Sequence, residues 1–309
     1  MTVAVIDIGS NSIKTLVAAR TPRGHPVSLY HKTLDARIST GIGNGSLTLT
    51  PESMKRGLAA IQELLALATP FAPGRTILVA TSALRDATNG AAFCRRVRAA
   101  TGHTIRILSG AEEANYIGRG LACDPAHSAL LDFHVFDLGG GSLECLSFHS
   151  RRIVRAASLQ LGCVRLSEKF IADTSRPIPE TARRAISDCV KAALAASGLT
   201  FDPSQNATPI ATGGATATAR AVLAAASGKS PAETSPRLAL ADMRSLYARI
   251  AAVDLAARRK IPAMPPGRAD VFPTALATLI ALAEFAGFDS FETSLYNLRW
   301  GIAAEALGV

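Results

Sequence analysis

Two short stretches of this sequence place a carboxylate at the end of an apolar run and follow it with small residues, a pattern suited to gripping phosphate. The first is Val5-Ile6-Asp7-Ile8-Gly9-Ser10-Asn11-Ser12-Ile13-Lys14; it recurs 130 positions later as Val135-Phe136-Asp137-Leu138-Gly139-Gly140-Gly141-Ser142-Leu143-Glu144. A phosphate chain needs several backbone amides pointing at it, and consecutive small residues allow the close approach that bulky side chains block. Gly9, Ser10, Asn11 and Ser12, and again Gly139, Gly140, Gly141 and Ser142, supply that. A lone glycine-rich turn most often only connects two strands. Repetition behind a matched aspartate sets these two apart.

Asp7 and Asp137 end apolar strands, where a carboxylate is costly to bury unless it is paired, hydrogen-bonded or near a cation. Capping their own turns is one use for them. If the two halves face each other, both carboxylates converge on one cleft, and two acids close to phosphate then require a divalent ion. Magnesium fits, because it takes one or two carboxylates together with water and phosphate oxygens. Strand alternation puts Lys14 on the face of Ser12 and Glu144 on the face of Ser142. Glu144 is thus a third candidate ligand for metal or water, while Lys14 either meets phosphate charge or is an exposed strand lysine.

Hydrolysis also needs a base. In Ser109-Gly110-Ala111-Glu112-Glu113-Ala114, Ser109 and Glu112 match a helix capping box, which gives Glu112 a structural task and leaves Glu113 in the first turn of a helix that follows a strand. A carboxylate there can take a proton from an attacking water; a solvent-exposed acid favoured by the helix dipole is the plainer reading. Arg85 follows another strand end and could clamp a transferring phosphoryl group with a forked pair of hydrogen bonds, or merely pair with Asp86. Ile210 to Ala219 reads as strand, glycine turn and helix, so Gly213 and Gly214 offer a phosphate seat at a helix start or a close-packed turn.

These residues must be positioned by alternating strands and helices. Thr76–Ala80 and Ile105–Leu108 read as strands with a helix from about Asn89 to Ala100 between them, and Thr50-Pro51-Glu52 opens a helix running to Ala68. Further strands are expected at Ser142–Phe148, Ile153–Ser158 and Pro209–Thr212, and helices at Pro179–Ala196, Ala215–Ala225, Asp242–Ala256, Val271–Ala286 and Arg299–Leu307. Ser227 to Arg237 reads as a surface loop. The pattern is an α/β layer fold in two related lobes with a cleft between them, the first over 1–126 and the second over 127–291, the segment 292–309 packing back onto the first.

The composition bounds the alternatives. The 309 residues, 48% hydrophobic and 18% charged, suffice for two cores. No secretory signal or clean membrane span is legible, so a cytoplasmic location without membrane partners is expected. The five cysteines lie too far apart for a metal knuckle or disulfide framework and read as reduced thiols. A net charge of +9 favours an anionic partner, but 5% aromatic residues and no basic stripe argue against nucleic acid.

At these residues the sequence resembles the Ppx/GppA phosphatase family of exopolyphosphatases and guanosine pentaphosphate phosphohydrolases. The resemblance runs through Asp7–Lys14, Ala80–Ala87, Ser109–Ala114, Asp137–Glu144, Leu161–Leu166 and Thr212–Thr216. It implies two ribonuclease-H-like lobes of the actin-like ATPase superfamily, magnesium dependence and a homodimer. It further implies Glu113 as the acid that activates water, Arg85 as the phosphate-stabilising arginine, Asp7, Asp137 and Glu144 as metal-linked carboxylates, and Gly139 with its neighbours as a phosphate loop. Inorganic polyphosphate or a phosphorylated guanosine nucleotide is the implied substrate, with ADP or ATP as further partners. The chain resembles the short form, lacking the histidine–aspartate helical domain. Val271-Phe272-Pro273-Thr274 and Asn297 stand where glycines are common. A nucleotide- or polyphosphate-binding sensor with little turnover, and a sugar or acetate kinase, are the competing readings on such a fold.

Overall fold

The computed structural model describes residues 1–40, 47–201 and 207–309, which gather into two compact units: Met1–Ala129 with Tyr296–Val309, and Leu130–Leu295. Among the described residues no helix is long and apolar enough to cross a membrane, and all five cysteines are free thiols.

The first unit begins with a meander of β1 (Thr2–Ile8), β2 (Ile13–Arg20) and β3 (Pro26–Leu34), followed by α1 (Pro51–Ala68), β4 (Arg75–Ala80), α2 (Ser82–Arg85), α3 (Gly90–Thr101), β5 (Ile105–Ile107) and α4 (Gly110–Ala122). Its sheet has the order β3-β2-β1-β4-β5, antiparallel from β3 to β1 and parallel from β1 to β5. β1 is central and its unbroken apolar run is buried on both faces, the usual state of a strand within a parallel layer. Helix α1 starts as its sequence demands: the Thr50 hydroxyl accepts from Ser53 N at 3.1 Å and Pro51 occupies the first turn.

The second unit runs through β6 (Phe133–Leu138), β7 (Leu143–His149), β8 (Arg152–Leu159), α5 (Cys163–Phe170), α6 (Glu180–Ala196), β9 (Thr208–Thr212), α7 (Gly214–Ala226), β10 (Arg237–Ala239), α8 (Leu240–Ala251), α9 (Leu255–Arg259), α10 (Phe272–Ala286) and β11 (Ser290–Thr293). Its strands lie in the order β10-β11-β9-β6-β7-β8. Apart from β10 at the edge, this is the order of the first unit, and both sheets have the ribonuclease-H-like arrangement. Helix α10 is apolar nearly all round and forms the centre of the core, as such a helix must. Its one charged residue, Glu284, accepts from Lys191 at 2.8 Å and from Arg244 at 2.9 Å.

The expected single helix from Asp242 to Ala256 is two helices. Helix α8 stops at Ala251, and the Asp254 carboxylate caps α9 by accepting from Ala257 N at 2.8 Å. The fully buried Arg258 guanidinium then donates to the carbonyls of Ile250 and Thr174, each at 3.0 Å, and to that of Arg176. It occupies a last-turn carbonyl of α8 that a continued helix would have used itself. Ser227–Arg237, expected as loop, includes a 3-10 turn at Pro231–Glu233 and reaches the start of β10.

After β11 the chain returns to the first unit as α11 (Leu298–Leu307), which packs on α4 with almost no side chain between the two backbones. A Cβ on Gly301 would lie 1.9 Å from the Tyr116 carbonyl oxygen, and one on Gly120 would lie 2.0 Å from that of Asn297. Each helix therefore needs its glycine so that the other can approach. Gly301→Ala is expected to destabilise the protein by about 1–3 kcal/mol, the range for overpacking a tight contact, read as a lower urea midpoint at unchanged m-value.

Candidate active site

In the first unit the turn after β1 closes with Gly9 N donating to Ser12 O at 3.2 Å. Its carbonyls are bound from behind. Ser10 O accepts from Ser39 N at 3.3 Å and from Ser39 Oγ at 3.2 Å, and Asn11 O accepts from Arg37 N at 2.8 Å. Arg37 takes up a left-handed φ of 48° beside this bond, a conformation unfavourable for a side chain of its size. The turn's other face is unmet: among the described residues the Ser10 and Asn11 amides, and both polar atoms of the buried Asn11 side chain, have no hydrogen-bond partner. Leaving a buried polar group unmet costs about 1–3 kcal/mol, so this face is built for a ligand that accepts and donates hydrogen bonds.

The parallel strands β1, β4 and β5 end in register, Ile8 beside Ala80 and Ala80 beside Ile107, so α2 and α4 leave the sheet on the edge where Asp7 lies. Arg85 closes α2 and Glu113 sits in the first turn of α4. Arg85 Nη1 donates to Glu113 Oε2 at 2.9 Å and to Leu108 O at 3.0 Å, whereas its Nε lies 4.0 Å from Asp86. Glu113 is a buried carboxylate at a helix N-terminus, paired with a guanidinium, and not the solvent-exposed acid of the plainer reading. The turn joins the same edge through Ser10 Oγ, 3.2 Å from Ser82 Oγ.

Glu112 does form the capping box. Its Oε2 accepts from Ser109 N at 2.8 Å and Ser109 Oγ at 2.9 Å, and Arg106 holds its other oxygen. The Ser109 amide first, then Arg106 and the Ser109 hydroxyl, lower its carboxyl to about 2.

The second unit repeats the turn with another support. Gly139 N donates to Ser142 O at 2.9 Å, and the start of α5 takes the carbonyls: Cys163 N donates to Gly139 O at 3.0 Å, Val164 N to Gly140 O at 2.9 Å and Arg165 N to Gly140 O at 3.2 Å. Arg165 Nε adds Gly141 O at 3.0 Å. A Cβ on Gly162 would lie 2.3 Å from Gly140 and Gly141 backbone atoms, so only glycine lets α5 come this close. The Gly140 and Gly141 amides have no partner among the described residues. Gly213, at φ 96°, passes so near Asp137 that a Cβ would meet its Oδ1 at 2.5 Å; the first-turn amides of α7 thus begin beside this carboxylate. The Arg268 guanidinium covers Gly214, where a Cβ would meet Nη1 at 2.0 Å.

Sequence reasoning gave no role to Gly162, Arg165 or Arg268. The legible signal for the first two was the run Leu161-Gly162-Cys163-Val164-Arg165, a glycine followed by a helix start; for Arg268 there was none.

The carboxylates differ between units in one instructive way. Asp7 stands opposite Lys14 in the β1–β2 ladder, whereas Asp137 stands opposite Glu144 at the equivalent place in β6–β7. An opposite-charge cross-strand pair is favourable, and two facing carboxylates are not. Both Asp137 and Glu144 are buried, and Ser158 Oγ donates to Glu144 Oε1 at 2.8 Å. Among the described residues no group of three or more His, Cys, Asp or Glu gathers to hold a metal. Two oxygen-donor carboxylates, with water and phosphate completing the shell, are what magnesium asks of a protein, so Asp137 and Glu144 fit it better than Asp7 does.

The sequence profile described as the Ppx/GppA phosphatase family matches residues 17–308. Exopolyphosphatase 2 of Mycobacterium tuberculosis is 30% identical over 321 aligned positions, covering 99% of this chain and 98% of that protein. Among solved structures, an exopolyphosphatase-like protein superposes with a TM-score of 0.88 at 24% identity, covering 99% of this chain and 97% of the other. An exopolyphosphatase from Cytophaga hutchinsonii gives 0.85 at 21% identity, over 100% and 98% of the two chains. The Aquifex aeolicus Ppx/GppA family member gives 0.79 at 22%, over 99% and 97%. These structural likenesses show the fold.

The lowered Glu112 carboxyl makes an acid-side prediction. A depressed folded-state value contributes stability above the ordinary carboxylate value near 4.5, and this is lost as pH falls towards about 2. Urea midpoints of the wild type and Glu112→Gln should therefore differ at neutral pH and converge over that interval.

Proposed function

Because the chain belongs to the Ppx/GppA phosphatase family, we propose that it is an exopolyphosphatase, releasing orthophosphate from the end of inorganic polyphosphate with Glu113 as the base. The observation that carries this reading is the buried Glu113, paired with Arg85, at the strand edge that also presents the unmet Ser10 and Asn11 amides of the Gly9–Ser12 turn. The polyanionic substrate suits the chain's net charge of +9 and the name of its 30%-identical relative.

In this mechanism the Ser10 and Asn11 amides and the Asn11 side chain bind the terminal phosphoryl oxygens, with Ser12 and Lys14 alongside. Glu113 orients a water and accepts its proton as the water oxygen bonds to phosphorus. The bridging P–O bond breaks, and the shortened chain leaves with the electron pair. Arg85 holds Glu113 in place beforehand and offers its remaining N–H groups to the phosphoryl oxygens as charge spreads over them. Asp137 and Glu144 would hold magnesium, which when bound supplies positive charge to phosphate oxygens. Gly139–Ser142 and the α7 start at Gly213–Gly214 offer further amides for phosphate.

The direct test is orthophosphate release from short polyphosphate, long polyphosphate and guanosine pentaphosphate, side by side with magnesium. Polyphosphate is expected to be the faster substrate; preference for the pentaphosphate would reassign the activity to the nucleotide, and tight binding without release would make the protein a sensor. Glu113→Gln should lower kcat by about 10²–10⁴-fold, the usual contribution of a positioned base, at nearly unchanged KM. Chelation of magnesium should stop release, and Asp137→Asn should raise the magnesium concentration that restores half the full rate.

A further inference from the structure

A cavity lies in the second unit, lined by none of the residues of its Gly139–Ser142 turn. Its volume is about 570 Å³, walled by α6, α8 and α10, within the range that small-molecule sites occupy. Helix α10 starts at Phe272, just past Arg268, and reaches the cavity at Ile280 and Glu284. At 1.5 Å per residue, Glu284 is about 18 Å along the helix from that start.

The floor is apolar and buried: Ile178, Ala251 and Ile280. Tyr247 also lines the cavity; it is only 8% exposed, yet among the described residues its hydroxyl makes no hydrogen bond. Burial pushes that hydroxyl up to about 12, so at neutral pH it is a proton-bearing donor. One turn earlier on α8, Arg244 uses a single nitrogen, Nη2, on Glu284, and its Nε and Nη1 have no partner among the described residues. Lys191 shares Glu284, and Arg183 is forked onto Glu180. Burial works against the Glu284 charge, but the hydrogen bonds from Lys191 and Arg244 prevail and hold its carboxyl below the usual range. On the lining itself Arg183 and Arg244 stand against Glu180 and Glu284, and Arg244 is the cation that keeps two nitrogens unused.

We propose that this cavity is a binding site for a small anionic amphiphile, its apolar body lying on Ile178, Ala251 and Ile280 and its acidic head accepting hydrogen bonds from Arg244 and the Tyr247 hydroxyl. The unused nitrogens of Arg244 and the Tyr247 hydroxyl are donors, which call for an acidic head, and the buried apolar residues between the helices call for an apolar body rather than an extended polyanion. The site is independent of the phosphohydrolase assignment, since none of its residues contributes to the turns or to the Arg85–Glu113 pair.

The probe is 8-anilinonaphthalene-1-sulfonate, titrated into the full chain by fluorescence and calorimetry. Saturable binding of one molecule per chain is expected. Tyr247→Phe should weaken it about 3- to 10-fold, the loss of one hydrogen bond, and the uncharged 1-anilinonaphthalene should bind about 10-fold more weakly or worse, for want of a charge-assisted one. Ala248→Trp, which fills the cavity from an exposed position on α8, should abolish binding while the urea midpoint and orthophosphate release match wild type. Absence of one-to-one binding, or an affinity unmoved by Tyr247→Phe or by Ala248→Trp in a chain of unchanged midpoint, would overturn the proposal. Probe binding is read without substrate and does not depend on whether the chain releases phosphate, so the two readings fail separately.

Discussion

A backbone turn can hold an anion only if its carbonyl oxygens point away from it, and that requirement organises both units of this protein. A peptide segment always carries acceptors as well as donors. To leave several amides facing one way, something behind the turn must take the carbonyls. In the first unit Ser39 and Arg37 do so, at the cost of a left-handed φ at Arg37. In the second unit the amides at the start of α5 do it, reinforced by the Arg165 side chain. A helix start is itself a set of unused donors, so here two orphan sets satisfy each other: α5 loses its unmet amides and the turn loses its carbonyls.

The repeated turns are alike in backbone and opposite in charge. Lys14 and Glu144 hold the same place in their ladders, facing Asp7 and Asp137 respectively. One exchange of residue type thus separates a turn whose aspartate stands across from a basic strand partner from one that places two carboxylates opposite each other. The two acids at the start of α4 show a similar division between neighbours. Glu112 and Glu113 are adjacent on α4, yet the first is drawn outward by the Ser109 cap and Arg106 while the second is buried against Arg85. Adjacent residues on a helix point about 100° apart, which is enough to send one carboxylate to the helix cap and the other to the strand edge.

Glycines carry much of the positioning, through what they let approach. Gly162 admits α5 to the Gly139–Ser142 turn, Gly213 brings α7 to Asp137, and Gly120 with Gly301 fasten α11 onto α4. In each case a backbone atom or a charged group occupies the space a Cβ would need, so the tightest junctions of the fold are made by main chain rather than by interdigitated side chains.

What the sequence determined by itself was everything set by local rules. The two Asp-led turns, the Ser109–Glu112 cap, the Thr50-Pro51 helix start and most strands and helices were legible, because alternation, capping and turn chemistry act over a few residues. Short or half-exposed elements such as α2, β3, β10 and β11 carry too weak a pattern to stand out, and the break after α8 depended on Arg258 reaching carbonyls more than 80 positions away as well as one on α8. Only tertiary structure decided that Arg85 hydrogen-bonds Glu113 at 2.9 Å while keeping Asp86 at 4.0 Å, that α5 supports the second turn, that Lys14 and Glu144 stand opposite the aspartates, and that Arg268 covers Gly214. Those contacts join strand ends and helix starts that parallel pairing brings to one edge, and their partners are set by register and close approach, quantities that residue spacing along the chain does not contain.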